Sequence, residues 1–191
     1  MLDLHIILDI DGTLIAETTT YHVVPRPFLQ TFLEFCFFNF KSVSIWTAAK
    51  REWYDFVYSR VLSEIIEPKG WKFRTVFTGE RCTLVLEDEI NEFYDLRVTI
   101  KRLRKIWKKY DDMDQTNTLI LDDNPVTYKK NYGNGIPIKT YAKNTNDYEF
   151  LKLMIWLKNF TGTKDVRRIE KRHWSGSISL ESVLDQDQNL C

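Results

Sequence analysis

Asp9 and Asp11 stand directly after the apolar run LHIIL of residues 4–8, and Gly12 follows at once. A strand has no use for either acid, and a carboxylate is costly in apolar surroundings. A second pair, Asp122 and Asp123, closes TNTLIL at 116–121, and Thr47 ends SVSIW at 42–46. Strand-end acids also cap turns. The combination of DxDGT, a strand-end Thr and a terminal Asp pair asks for more than capping. If these strand ends are neighbours, four carboxylates and a hydroxyl share one crevice, and like charges that close resist joint ionisation. A divalent cation would neutralise them, and an all-oxygen ligand set suits Mg2+, which commonly shares a phosphate with protein carboxylates. A phosphate ester is the self-consistent substrate. Asp9 could then attack phosphorus as a nucleophile. Asp11, two residues on, could protonate the leaving oxygen and later activate water. Gly12 permits the turn that aims backbone N–H groups at the phosphate. Thr47 would donate to a phosphoryl oxygen. A lysine would offset the developing charge, with Lys101 the first candidate and Lys105 the alternative.

Positioning such a crevice requires strand ends side by side. Residues 4–10 and 42–46 read as buried strands, and 116–123 as a strand ending on its acids. The segment from Pro27 to about Phe40 reads as a helix with Pro near its first turn. Residues 49–64 form a second helix, closed by EPKG at 67–70. Residues 99–110 and about 147–160 read as further helices, with a short strand near 136–138. Alternating strands and helices predict an α/β fold with a doubly wound, Rossmann-like parallel sheet, whose reactive site lies at the carboxyl ends of the strands. Residues 71–96 carry short β-like runs between turn residues and read as a small antiparallel β insert. The expected organisation is one domain over 1–160 and a C-terminal extension over 161–191.

The bulk composition bounds the partners. Of the 191 residues, 43% are hydrophobic and 28% charged, and 27 basic residues balance 27 acids. That balance favours a globular chain and gives no reason to expect direct nucleic-acid binding. Three cysteines, Cys36, Cys82 and Cys191, form neither a C-x-x-C pair nor a zinc spacing. A reducing, nuclear or cytoplasmic setting is therefore expected. Asp3, Asp9 and Asp11 interrupt the N-terminal apolar stretch, so no secretory leader is expected, and no apolar run is long enough to span a membrane.

The stretches ILDIDGTLI, VPRPFLQTFLEF, VSIWTAA and LILDDNPVTY resemble the haloacid dehalogenase-like superfamily of aspartate-nucleophile phosphatases. Within it they are most similar to the RNA polymerase II carboxy-terminal-domain phosphatase, or NLI-interacting-factor-like, branch. The resemblance covers roughly residues 5–160. It implies Asp9 as nucleophile, Asp11 as acid and base, and Thr47 and Lys101 as phosphate contacts. It implies Mg2+ held by Asp9, the Asp11 carbonyl and the pair Asp122/Asp123. Gly12, Thr13 and Ala48 are expected to line the phosphate, and Phe73, Phe77 and Arg81 to meet a phosphoprotein such as the polymerase tail. Gly12 stands where the branch usually has Glu, and Asp123 where many members have Asn. Phe77 is followed by Thr78 and Gly79 rather than by the Arg of small members, with Arg81 nearby. A small metabolite or nucleic-acid end as substrate, or a catalytically idle binding module, are the competing readings.

Overall fold

The computed structural model describes residues 2–16, 22–86 and 97–179. β1 (Leu2–Leu8) is apolar along nearly its whole length because both of its faces are covered. Leu4, Ile6 and Leu8 face one side, where α1 (Leu29–Asn39) and α5 (Glu149–Leu157) contribute Phe32, Leu33, Phe150 and Leu153. Ile7 faces the other, beside Leu103 and Ile106 of the segment around α4 (Arg104–Trp107). This alternation is the physical content of double winding.

β1 lies between β2 (Phe40–Trp46) and β6 (Thr118–Asp122), pairing in parallel with both. β3 (Val76–Phe77) and β7 (Gly135–Pro137) complete a five-stranded parallel sheet in the order β3-β2-β1-β6-β7. The doubly wound sheet expected from the sequence is present. Asp9 extends β1 by one more ladder bond, its N–H donating to Leu121 O at 3.0 Å. The carboxyl ends of β1 and β6 therefore stop level with one another.

α2 (Arg51–Val57) continues through a π-helical turn at Tyr58–Leu62 into α3 (Ser63–Ile66). Gly70, at φ 66°, then ends the segment in a left-handed conformation.

The β insert requires a correction. Residues 71–77 belong to the main sheet: Arg74 N–H donates to Val43 O, Ile45 N–H to Thr75 O, and Thr47 N–H to Phe77 O. The free edge of β2 captures this segment because its backbone groups need partners. The small antiparallel sheet is instead β4 (Thr83–Leu86) with β5 (Arg97–Ile100). The stretch between these strands, including all of INEFYDL, lies outside the described residues. The expected helix over 99–110 is accordingly the end of β5, a turn and the short α4. Residues 161–179 pack onto the sheet through the buried Val166 and Trp174, whose indole N–H donates to Pro137 O at 2.5 Å.

Candidate active site

Asp9 emerges from the last ladder bond of β1 with only 5% of its surface exposed. Lys101, the residue after β5, is 1% exposed, and its backbone is fixed by Thr127 O at 2.6 Å and the Asn131 side chain at 2.7 Å. Its ammonium bridges Asp9 Oδ1 and Asp122 Oδ2, the latter at 2.7 Å. Lys105 instead donates to the carbonyls of Arg81 and Cys82 on the exposed side. The structure thus brings Lys101, and not Lys105, to the aspartates.

Asp122 and Asp123 adopt different settings. Asp122 Oδ1 accepts from Asn124 N–H at 2.9 Å, and Oδ2 accepts from Thr127 Oγ1 at 2.6 Å as well as from Lys101. Asp123 is less buried, and its Oδ2 accepts from Thr140 Oγ1 at 2.8 Å. Thr13 sits between the two strands' acids. Its hydroxyl lies 3.3 Å from Asp9 Oδ2 and 3.5 Å from Asp123 Oδ1, and Asp123 N–H reaches it at 3.2 Å.

Asp9, Asp122 and Asp123 each offer an oxygen, and the three oxygens lie within 4.8 Å of one another. Burial pushes the Asp9 carboxyl well above its ordinary range, against the pull of Lys101, and Asp122 and Asp11 push the same way. Burial also raises Asp123, opposed by Thr140 and reinforced by Asp122. For Lys101, burial works against the charge, but Asp9 and Asp122 outweigh it and keep the ammonium protonated. Three crowded carboxyls against one ammonium leave a deficit of positive charge. The donor set is all oxygen, which suits Mg2+ better than a soft metal. The residues present fit that ion.

Gly12 shapes the same wall. Its φ is +73°, and a Cβ there would meet Asp123 Oδ2 at 2.3 Å. The Asp123 carboxylate occupies space that only glycine leaves open.

The Asp11 carboxylate points away from this group. Oδ1 accepts from Trp53 Nε1 at 2.7 Å, and Oδ2 accepts from Thr47 Oγ1 at 3.3 Å. Thr47 is fully buried at the end of β2, and its hydroxyl also accepts from Ala49 N–H at 3.0 Å. Ala48 is exposed on the rim beside it. The carboxyl ends of three neighbouring strands therefore present a buried carboxylate with an ammonium, a second carboxylate two residues on, and a hydroxyl.

The expected aromatic contacts do not gather here. Phe73 lies beside the first half of β2, its ring 5.6 Å from that of Phe37. It is packed there because residues 71–75 run into the sheet edge rather than into an insert. Phe77 is 6% exposed and meets Trp46 edge-on at 5.1 Å, so it fills core rather than surface. Arg81 remains exposed, its guanidinium 5.6 Å from the Phe77 ring.

Sequence reasoning missed Trp53, Thr127 and Thr140. Thr127 was the most accessible, because DDNPVT spells a side-chain-to-backbone turn directly after the acids. Trp53 carries no comparable signal, since an indole on a helix reads first as packing.

The family model described as NLI interacting factor-like phosphatase matches residues 4–167. Ubiquitin-like domain-containing CTD phosphatase 1 of Danio rerio is 27% identical over 182 residues, covering 91% of this chain and 55% of the relative. CTD small phosphatase-like protein 3 of Caenorhabditis elegans is 28% identical over 177 residues, covering 90% and 54%. The chain thus spans about half the length of these curated relatives. Putative CTD phosphatase-like protein 355R of Invertebrate iridescent virus 6 is 27% identical over 141 residues, covering 73% of each chain. Among solved structures, fission yeast RNA polymerase II CTD phosphatase Fcp1-R271A bound to beryllium fluoride superposes with a TM-score of 0.52. It shares 15% identity and covers 98% of this chain and 55% of that one, a likeness of fold. With the family match running from β1 through α5, the chain belongs to the NLI interacting factor-like phosphatase family.

Proposed function

We propose that this chain is a Mg2+-dependent phosphomonoester hydrolase acting on phosphoserine or phosphothreonine in proteins, through a phosphoryl-aspartate on Asp9. The observation that carries the reading is the buried Asp9, salt-bridged to Lys101 beside Asp122 and Asp123, with Asp11 held separately two residues on. In the first step an Asp9 oxygen bonds to phosphorus while the bond to the seryl oxygen breaks. Asp11 gives its proton to that departing oxygen. In the second, Asp11 takes a proton from water as the water oxygen attacks phosphorus, and the Asp9 carboxylate departs. Lys101 stays charged throughout and faces the developing negative charge. Thr47, buried at the strand end, is the hydroxyl that turns to a phosphoryl oxygen. Asp9, Asp122, Asp123 and the Asp11 carbonyl would hold Mg2+, which would neutralise the phosphoryl oxygens.

An extended phosphorylated segment of the polymerase tail is the leading substrate, on the strength of the relatives' names and the family's description. Arg81 on the exposed turn after β3 is the candidate contact for its flanking residues. Such a substrate implies a nuclear or cytoplasmic setting. Among the described residues no helix is long and apolar enough to cross a membrane.

The test is phosphate release from p-nitrophenyl phosphate and from phosphoserine peptides, with Mg2+ or with chelator. Asp9→Asn is expected to abolish turnover, because an amide cannot provide the attacking carboxylate. Full activity in chelator or in Asp9→Asn would overturn the mechanism. A sugar phosphate or DNA 3′-phosphate exceeding a phosphoserine-proline peptide in kcat/KM would move the substrate class instead.

A further inference from the structure

Trp53 sits in the first turn of α2, half-buried, with its ring stacked on Phe56 at 5.7 Å and 25°. Its Nε1–H donates to Asp11 Oδ1 at 2.7 Å, shorter than the 3.3 Å between Thr47 Oγ1 and Asp11 Oδ2. The two donors differ in kind. A threonine hydroxyl has one proton, and giving it to a phosphoryl oxygen withdraws it from Asp11. An indole N–H is a donor only and does not titrate in water's range, so Trp53 keeps its bond to Asp11 when substrate arrives.

We infer that Trp53 is a positioning residue for proton transfer by Asp11, occupying Oδ1 so that the transferable proton sits on Oδ2. Oδ2 is the oxygen beside Thr47, at the carboxyl end of β2 where the phosphoester is to lie. In phosphoryl transfer the proton leaves Oδ2 for the seryl oxygen as the P–O bond breaks, and the carboxylate that forms is already hydrogen-bonded at Oδ1. In hydrolysis Oδ2 regains a proton from water. A donor fixed on one oxygen thus makes a two-fold symmetric carboxyl act from one side only. The role rests on the phosphatase reading above.

Trp53→Phe keeps a ring against Phe56 and removes the donor along with the second ring of the indole, a packing loss that should weigh equally on every substrate. The discriminating quantity is kcat/KM, which reports steps up to leaving-group departure, measured on p-nitrophenyl phosphate, phenyl phosphate and a phosphoserine peptide. A p-nitrophenolate departs with little help, whereas a seryl oxygen needs its proton. The expected loss grows with leaving-group basicity, at least tenfold greater for phosphoserine than for p-nitrophenyl phosphate, and lies in kcat rather than KM. An equal loss across the series overturns the positioning role while leaving the phosphatase reading intact. No Mg2+-dependent phosphatase activity in the unmodified protein overturns that reading. The hydrogen bond is judged independently by NMR. The Trp53 indole proton, identified by its absence in Trp53→Phe, is expected to move upfield in Asp11→Ala, and an unmoved resonance overturns the inference.

Discussion

Gly12 and Asp123 explain each other. A carboxylate oxygen stands 2.3 Å from where a Cβ of residue 12 would be, and the backbone there has φ +73°. Both facts exclude a side chain, and the left-handed conformation alone costs a non-glycine residue roughly 1–2 kcal/mol. Gly12→Ala must push Asp123 off its bond with Thr140 or twist the turn that aims Asp9 and Asp11. The expected outcome is weaker Mg2+ binding, seen as a higher half-saturating Mg2+ concentration. At least a tenfold fall in kcat/KM should accompany it, a barrier change of about 1.4 kcal/mol. An alanine variant with wild-type Mg2+ titration would show that Asp123 stands outside the metal site.

At the scale of elements, what the sequence made readable were strands with strong local signatures. LHIIL and TNTLILDD carry unbroken apolar runs ended by paired acids, and both are sheet strands whose ends meet. Val76–Phe77 ends the β-like run WKFRTVF, but nothing in that run says which sheet it joins. Its place was decided by the open β2 edge beside it, a long-range fact. Lys101 was legible as a basic residue near the site, but its burial depends on Thr127 and Asn131 holding its backbone, a long-range fact. The stretch RPF shows the same limit. Arg26 is 1% exposed, and its guanidinium makes two bonds to Asp147, at 3.0 and 2.8 Å. It also donates to Thr13 O at 3.2 Å and Lys139 O at 2.8 Å. It therefore joins the loop after β1, the segment after β7 and the start of α5. Removing one partner of a buried pair leaves the other uncompensated, at a cost of roughly 3–5 kcal/mol. Arg26→Ala should lower the urea midpoint accordingly, and a midpoint within experimental error of wild type would contradict the clamp.

Across the whole molecule, the sheet carries a second buried polar group besides the acidic cluster at its carboxyl end. The carboxyl ends of β1, β2 and β6 hold the aspartates, Thr47 and Lys101. Midway along β1, His5 is fully buried and joins three segments. Its Nδ1 lies 2.8 Å from Ser42 Oγ on β2, and its Nε2 donates to Asp112 O at 3.2 Å. Asp112 in turn receives two bonds from Arg74, just ahead of β3. Burial lowers the His5 pKa from 6.5, partly opposed by Asp112, while Arg74 and Lys41 lower it further. The sign follows directly. Between its folded value and 6.5 the unfolded chain binds a proton that the native state refuses, so stability falls as pH drops through 6.5 and the penalty levels off below the folded value. Asp112, Asp165 and Glu170, held down to about 2 by their arginine partners, act only in stronger acid. Asp9, raised by burial, titrates against this trend, but it is common to wild type and a His5 variant. His5→Gln, which keeps polar atoms near Ser42 and Asp112, should therefore show a smaller drop in Tm from pH 7.5 to 5.5 than wild type. Its kcat at pH 7.5 should stay within about twofold, because the His5 ring bonds Ser42 and Asp112 rather than any group of the acidic cluster. Parallel Tm curves for the two proteins would remove His5 as the source of acid sensitivity.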